Sequence, residues 1–222
     1  MTAPTVGDHE GLRRILDREY RPDLTQVAPR AAVAAVFRPT DDGRTSELLF
    51  IQRATKASDP WSGQMAFPGG REEDDDPSPR HTAMRETVEE VGLDLSGAAF
   101  LGSLSELDGG RANNRRVIVS AHAWWLDGPR PDLTPNYEVA DVVWVSLAEL
   151  ADRNRYIEYL YQASGMHFPG IQLDRQDQVI WGLTLRFLSD LFERLEHPFI
   201  AIDELPGTTT GGSASAGSDL PE

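Results

Sequence analysis

Arg85-Glu86-Thr87-Val88-Glu89-Glu90-Val91-Gly92 sets three carboxylates within five consecutive positions. Helical periodicity begins at Pro79, with Met84, Val88 and Val91 at i, i+4 and i+7 forming an apolar stripe, and Gly92 stands where a helix stops. In such a helix Glu86 and Glu90 are four residues apart and Glu86 and Glu89 three, so all three carboxylates crowd the side opposite the stripe. Like charges at these spacings cost about 0.2–0.5 kcal/mol per pair, part of which Arg85, four residues before Glu89, relieves. A hard divalent cation would neutralise the cluster, and an oxygen-only ligand set points to Mg2+ or Mn2+. A solvated acidic helix face is the plainer reading of the same residues. Gly69-Gly70, in front of the helix, shifts the weight towards the cation, because glycine lets backbone approach closely and aim a carbonyl at the same ion.

Upstream of those glycines, a loop punctuated by Pro and Gly covers 54–80 and includes the acidic run 72–76. Before it, 31–37 reads as a buried strand and 47–53 as its hairpin partner across a turn at Pro39-Thr40-Asp41-Asp42-Gly43-Arg44. Leu12, Ile15, Leu16 and Tyr20 recur at helical spacing, ended by Pro22. Downstream, 98–107 and 116–126 read as strands around the polar loop 108–115, 139–146 as another strand, and 147–153 as the start of a short helix. Residues 179–195 have strong helical periodicity, and their apolar stripe reads as core. From about 206 the chain is rich in Gly, Ser and Thr and reads as a disordered tail. Strands alternating with helices fit a mixed sheet sandwiched by helices.

Composition narrows the function. Among 222 residues, 21 Lys and Arg stand against 36 Asp and Glu, a net charge of −15. That balance argues against nucleic acid and anionic membranes as partners. The absence of cysteine excludes disulfides, thiolate catalysis and Cys-based zinc sites. No secretory leader is evident and apolar runs such as 31–37 and 142–145 are far too short to span a bilayer, so the expected location is cytoplasmic. His81, His122 and His167 lack metal-ligand spacing and read as incidental.

Gly70, five residues, Asp76, eight residues, then Arg85 to Leu93 closely resembles the Nudix box. That box runs Gly, five residues, Glu, seven residues, Arg-Glu-apolar-X-Glu-Glu-X-Gly-apolar. The sequence departs from it in three ways: Asp76 stands for the first Glu, the spacer is one residue longer, and Thr87 replaces an apolar residue. The longer spacer recurs in Nudix coenzyme A pyrophosphatases, and Leu48 to Arg53 followed by Gly63 to Gly70 is similar to the motif preceding the box in that group. Phe168-Pro169-Gly170 and Ile180-Trp181-Gly182-Leu183-Thr184 also resemble it, whereas Ser58 stands where its signature expects Arg.

The resemblance implies an α/β fold, a Nudix-like α/β/α sandwich with a mixed sheet plus C-terminal helices. Residues 1–29 would form an N-terminal helical extension, 30–150 the catalytic core, 151–205 a C-terminal helical part of the same domain and 206–222 the tail. It implies a diphosphatase in which Glu86, Glu89 and Glu90, with the Gly70 carbonyl, hold Mg2+ or Mn2+ and Arg85 orients the carboxylates. The general base would come from the box (Glu86 or Glu89) or from outside it, with Glu138 as the distal candidate. Arg53, Lys56 and Arg115 are the expected substrate contacts, and Trp61 would stack on adenine or cap the sheet. The leading substrate is coenzyme A or an acyl-CoA, cleaved to 3′,5′-ADP and (acyl-)4′-phosphopantetheine. ADP-ribose, NADH or an oxidised nucleotide is the alternative within the family, and a non-catalytic binding module the alternative outside catalysis. The expected partner is a small nucleotide-like molecule, and the family suggests a homodimer.

Overall fold

The apolar segment at 31–37 does form a central strand, and its alternation divides the core in two. In the computed structural model, residues 7–16, 30–56, 61–112, 115–162, 164–197 and 199 are described, side chains of 110–116 excepted. The expected tail at 206–222 lies outside the described residues, as do 17–29 of the expected N-terminal extension. Strand β1 (Arg30–Pro39) sends Ala32, Ala34 and Val36 to one face and Ala35 and Phe37 to the other. β2 (Ser46–Arg53) divides likewise, Leu49 and Ile51 against Leu48 and Phe50, and pairs antiparallel with β1 through Phe37↔Leu48.

Two short strands follow, β3 (Met65–Ala66) on β2 and β4 (Gly69–Arg71) on β1, and then helix α2 (Pro79–Val91). β5 (Ala99–Ala112) and β6 (Arg115–Trp125) form a long antiparallel hairpin, and β6 runs parallel to β1 over 30–37 and 118–125. β7 (Val139–Ser146) closes the other edge of β2, giving a seven-stranded mixed sheet. α2 covers one face, where Ala83 and Val91 meet Ala32, Ala34 and Trp124. α1 (His9–Leu16) and α4 (Gly182–Arg194) cover the other, through Leu12, Leu16, Phe187, Leu188 and Leu191. This is the expected α/β/α sandwich. No helix among the described residues is long and apolar enough to cross a membrane.

Three local expectations need correction. Residues 151–205 are not simply helical. After α3 (Leu147–Leu150) and a single 3-10 turn at Arg153–Arg155 come β8 (Tyr156–Tyr161), β9 (Met166–Gln172) and β10 (Val179–Trp181), a separate antiparallel sheet ahead of α4. The aromatic and β-branched residues of Tyr-Ile-Glu-Tyr-Leu-Tyr favour a pleated surface, and Tyr159, Tyr161 and Phe168 gather around Trp181 with ring centroids 4.8–5.2 Å away. The polar loop expected at 108–115 is largely strand, with a register shift between Asp108 and Arg111 taking up the glycines. The Met84/Val88/Val91 stripe is not the buried face either: Val88 is 45% exposed, whereas Thr82, Ala83, Thr87, Glu90 and Val91 are buried.

Several buried polar groups lie away from this helix, His122 among them. His122 on β6 is 2% exposed, with Ser103 Oγ 2.9 Å from Nδ1, Ser120 Oγ 3.1 Å from Nε2, and the Phe100 and Trp124 rings close by. Burial, with a smaller contribution from Arg80, pushes its pKa down to about 4.

Candidate functional site

β4 is almost bare of side chains, and that determines how α2 sits. Gly69 has φ 155°, a conformation L side chains rarely adopt, and a methyl there would strike the β1 backbone at Ala32 and Val33. A methyl on Gly70 would overlap the Glu86 carboxylate. With both positions empty, α2 approaches until Glu90 Oε2 accepts a hydrogen bond from the Gly69 N–H at 2.8 Å. Small residues on the inner face of α2, Thr82, Ala83 and Thr87, permit the same approach. Thr87 answers its own departure from the box: its hydroxyl donates to the Ala83 carbonyl at 2.7 Å, so the polar atom is satisfied within the helix. Gly92, at φ 71°, ends the helix by donating to the Val88 carbonyl.

Burial then sets the electrostatics. Glu90 is 2% exposed, and loss of solvation pushes its pKa up to about 7 against the opposing pull of the Gly69 N–H and of Arg53, whose Nη1 lies 3.7 Å away. Glu86 is half-buried and is pushed up for the same first reason, with Arg85 acting against it. Arg85 is the hub. Its Nε and Nη2 donate to the two Asp76 oxygens at 3.1 and 2.9 Å, Nη2 also to the Arg71 carbonyl at 3.0 Å, and Nη1 to Glu86 at 3.0 Å and Glu89 at 3.3 Å. Asp76 also receives the Thr82 hydroxyl and the Glu73 N–H, each at 3.0 Å. The Arg85 guanidinium holds the Asp76 carboxyl well below the usual carboxylate range. Asp76 therefore occupies the place of the box's first acidic residue as the partner that fixes Arg85.

α2, β4 and the end of β2 open onto a cleft of about 450 Å3. Its lining combines Arg53, Gly69, Gly70, Arg71, Glu86, Glu90 and Glu138 with the largely apolar Trp61, Met65, Phe67, Val117, Val119, Leu183, Thr184 and Phe187. Glu138 Oε1 accepts from Lys56 Nζ at 2.6 Å, and that ammonium lies 4.8 Å from the centroid of the exposed Tyr137 ring. The pair shifts both groups towards their charged forms, Glu138 downward and Lys56 upward.

Of the residues singled out from sequence, Gly70, Arg53, Glu86, Glu90 and Glu138 meet in this cleft, and Lys56 reaches it through Glu138. Glu89 does not line it: its side chain is 54% exposed and turned to Arg85. The Arg115 side chain lies outside the described residues. Sequence reasoning missed the anchoring of Glu90 by Gly69 and the entry of α4 into the cleft through Leu183, Thr184 and Phe187. Part of the stripe assigned to the core does lie there, at Leu185, Leu188 and Leu191, and Gly182, the first residue of α4 at φ 60°, is the signal that the first turn of α4 had a separate placement.

Among the described residues, no three acidic or histidine side chains converge closely enough to enclose a cation as they stand. Arg85 is the physical reason, since its Nη1 occupies both Glu86 and Glu89. The donor set nevertheless fits a hard cation: two of its carboxylates, Glu86 and Glu90, are under-solvated by burial, and the backbone at Gly70 lies directly beside Glu86 with no side chain between.

The sequence matches the family model described as NUDIX domain over residues 28–162, more than half of the chain. It is 31% identical over 211 residues to the mitochondrial coenzyme A diphosphatase NUDT8 of Mus musculus, covering 90% of this chain and 95% of that protein. An uncharacterized protein of Schizosaccharomyces pombe is 41% identical over 106 residues, and the chain spans 32% of that protein's length. Among solved structures, a MutT/nudix family protein from Enterococcus faecalis matches with a TM-score of 0.55 at 16% identity, over 81% of this chain and 66% of that one, and so shares the fold.

Proposed function

The chain belongs to the Nudix hydrolase family, and from that membership we propose that it hydrolyses the diphosphate of coenzyme A or an acyl-CoA, releasing 3′,5′-ADP and (acyl-)4′-phosphopantetheine. The observation that carries the substrate is the likeness to the mouse coenzyme A diphosphatase along nearly all of both chains. A match covering 90% of this chain runs well past residue 162 and takes in Leu183, Thr184 and Phe187 of the cleft wall.

Glu86, Glu89 and Glu90, with the Gly70 carbonyl, would hold Mg2+ or Mn2+. A cation bound there neutralises phosphate oxygens and lowers the pKa of a water molecule. Arg85, fixed by Asp76, keeps Glu86 and Glu89 facing one way, and the Gly69 N–H holds Glu90 in register. Arg53, at the end of β2, faces the same space and pairs with a phosphate oxygen of the substrate. The lowered pKa that Lys56 gives Glu138 supports the reading in which Glu138 takes the proton from the attacking water. Water oxygen bonds to one phosphorus, the bond from that phosphorus to the bridging oxygen breaks, and the departing phosphate keeps the bridging oxygen.

Incubation with coenzyme A, ADP-ribose or NADH plus Mg2+ or Mn2+, followed by chromatography, tests the proposal. Appearance of 3′,5′-ADP and 4′-phosphopantetheine is the expected result. Intact coenzyme A beside consumed ADP-ribose would overturn the substrate.

A further inference from the structure

The floor of the cleft crosses several strands, and the chemistry of its lining changes along them. Arg71↔Ala31, Ala31↔Val119 and Val119↔Leu107 form one row across β4, β1, β6 and β5. Three strand spacings of about 4.8 Å carry the floor about 14 Å from the glycine strand to β5. Every charged residue among the described lining, Arg53, Arg71, Glu86, Glu90 and Glu138, comes from β2, β4, α2 or the segment entering β7. Those from β5, β6 and α4 are Gly109, Val117, Val119, Leu183, Thr184 and Phe187, none of them charged.

The stretch whose described lining is uncharged is built to stay open. Leu183 and Phe187 are four residues apart on α4 and so share a face. Thr184 fixes the rotation of that turn by donating its hydroxyl to the Met65 carbonyl at 3.1 Å. Opposite, a methyl placed on Gly109 would stand 2.8 Å from Val119 Cγ2 and 3.8 Å from Leu183 Cδ2, so glycine there leaves a gap between β5 and α4 that any side chain would fill.

Resting on the coenzyme A reading, we infer that this stretch holds the pantetheine arm of the substrate and that Leu183 sets how bulky an arm is admitted. A 3′-phosphorylated nucleotide needs positive partners, which the stretch bearing Arg53 and Arg71 supplies. The pantetheine arm carries no charge, and its methylene and gem-dimethyl groups suit a wall of Val117, Val119, Leu183 and Phe187, with the Thr184 hydroxyl as a polar atom at the same wall. The two product halves then lie against different walls of one cleft.

Calorimetric titration of the full chain with 4′-phosphopantetheine and with 3′,5′-ADP tests this, alongside KM and kcat for coenzyme A. Leu183→Trp is expected to weaken 4′-phosphopantetheine about tenfold and to raise KM for coenzyme A similarly, while 3′,5′-ADP moves by less than about twofold. Leu183→Ala, which keeps the helix propensity of α4, is expected to shift 4′-phosphopantetheine in the same direction by a smaller factor. If both variants weaken 3′,5′-ADP instead, the nucleotide lies against α4 and the assignment is reversed. If neither variant moves 4′-phosphopantetheine while the wild type still cleaves coenzyme A, the role of Leu183 is wrong and the substrate stands. A wild type that leaves coenzyme A intact and binds neither half overturns both.

Discussion

Acid should unfold this protein partly through one histidine. His122 is held neutral between two serines, and burial lowers its pKa from 6.5 to about 4. Between those values the unfolded chain takes up a proton that the folded chain refuses, so unfolding gains ground as pH falls. The penalty is absent above about 6.5, grows through the window and is complete below about 4. A gap of about 2.5 units amounts to about 3 kcal/mol in full, and by pH 4.5 to about 2.5 kcal/mol, a roughly eightyfold shift in the unfolding equilibrium. The assay is urea denaturation followed by tryptophan fluorescence at intervals from pH 7 to 4.5, on the wild type and on His122→Gln. Glutamine can bond both serines but does not titrate. Carboxylates such as Asp76 contribute equally to both proteins, so the difference isolates the imidazole. The stability gap is expected to move towards the variant by about 2.5 kcal/mol over that range. A gap that stays constant with pH would show that the ring protonates inside the fold, and the burial argument would fall.

Gly70→Ala should displace the Glu86 carboxylate and cut turnover about a hundredfold while leaving a folded protein, checked by initial rates beside a thermal melt. Asp76→Asn removes the charge that fixes Arg85 and should cost about 1–3 kcal/mol, read as a lower urea midpoint together with a fall in kcat. Lys56→Met deprives Glu138 of the partner that keeps its pKa low. Since a base works ionised, the acid limb of kcat/KM should move to higher pH, and a limb that stays put with a merely lower rate would remove Glu138 as the base.

The glycine pair, Pro79 and Gly92 were readable as local signals because each acts on its own backbone: Pro79 opens α2, Gly92 ends it, and 69–70 form the bare strand. Both strands of the first hairpin were readable from alternation and turn residues; β1 came out one residue longer at its start and two at its end, and β2 one residue longer at its start. What could not be read was depth. Glu86, Glu89 and Glu90 look equivalent in sequence, yet one is half-buried, one exposed and one buried, because a helix on a side-chain-free strand tilts its smallest residues inward and leaves Val88 in solvent. Periodicity alone took Val88 for core. The sheet of β8 to β10 was missed because Pro169 and Gly170 interrupt its middle strand, although the aromatic alternation of 156–161 was visible. Leu183 in the cleft depends on where β10 delivers α4, which is a long-range matter that no local pattern carries.

The parallel pairing of β1 with β6 has a consequence for synthesis. The acidic helix and its glycine strand leave the ribosome well before residues 118–125, which complete the sheet beside β1, and before α4. Until those later segments emerge, the nascent protein has the acidic helix without the β6 part of the floor or the α4 wall beside it. Competence therefore waits for α4, and a product released before it by premature termination would carry the acidic helix yet lack the far wall of the cleft.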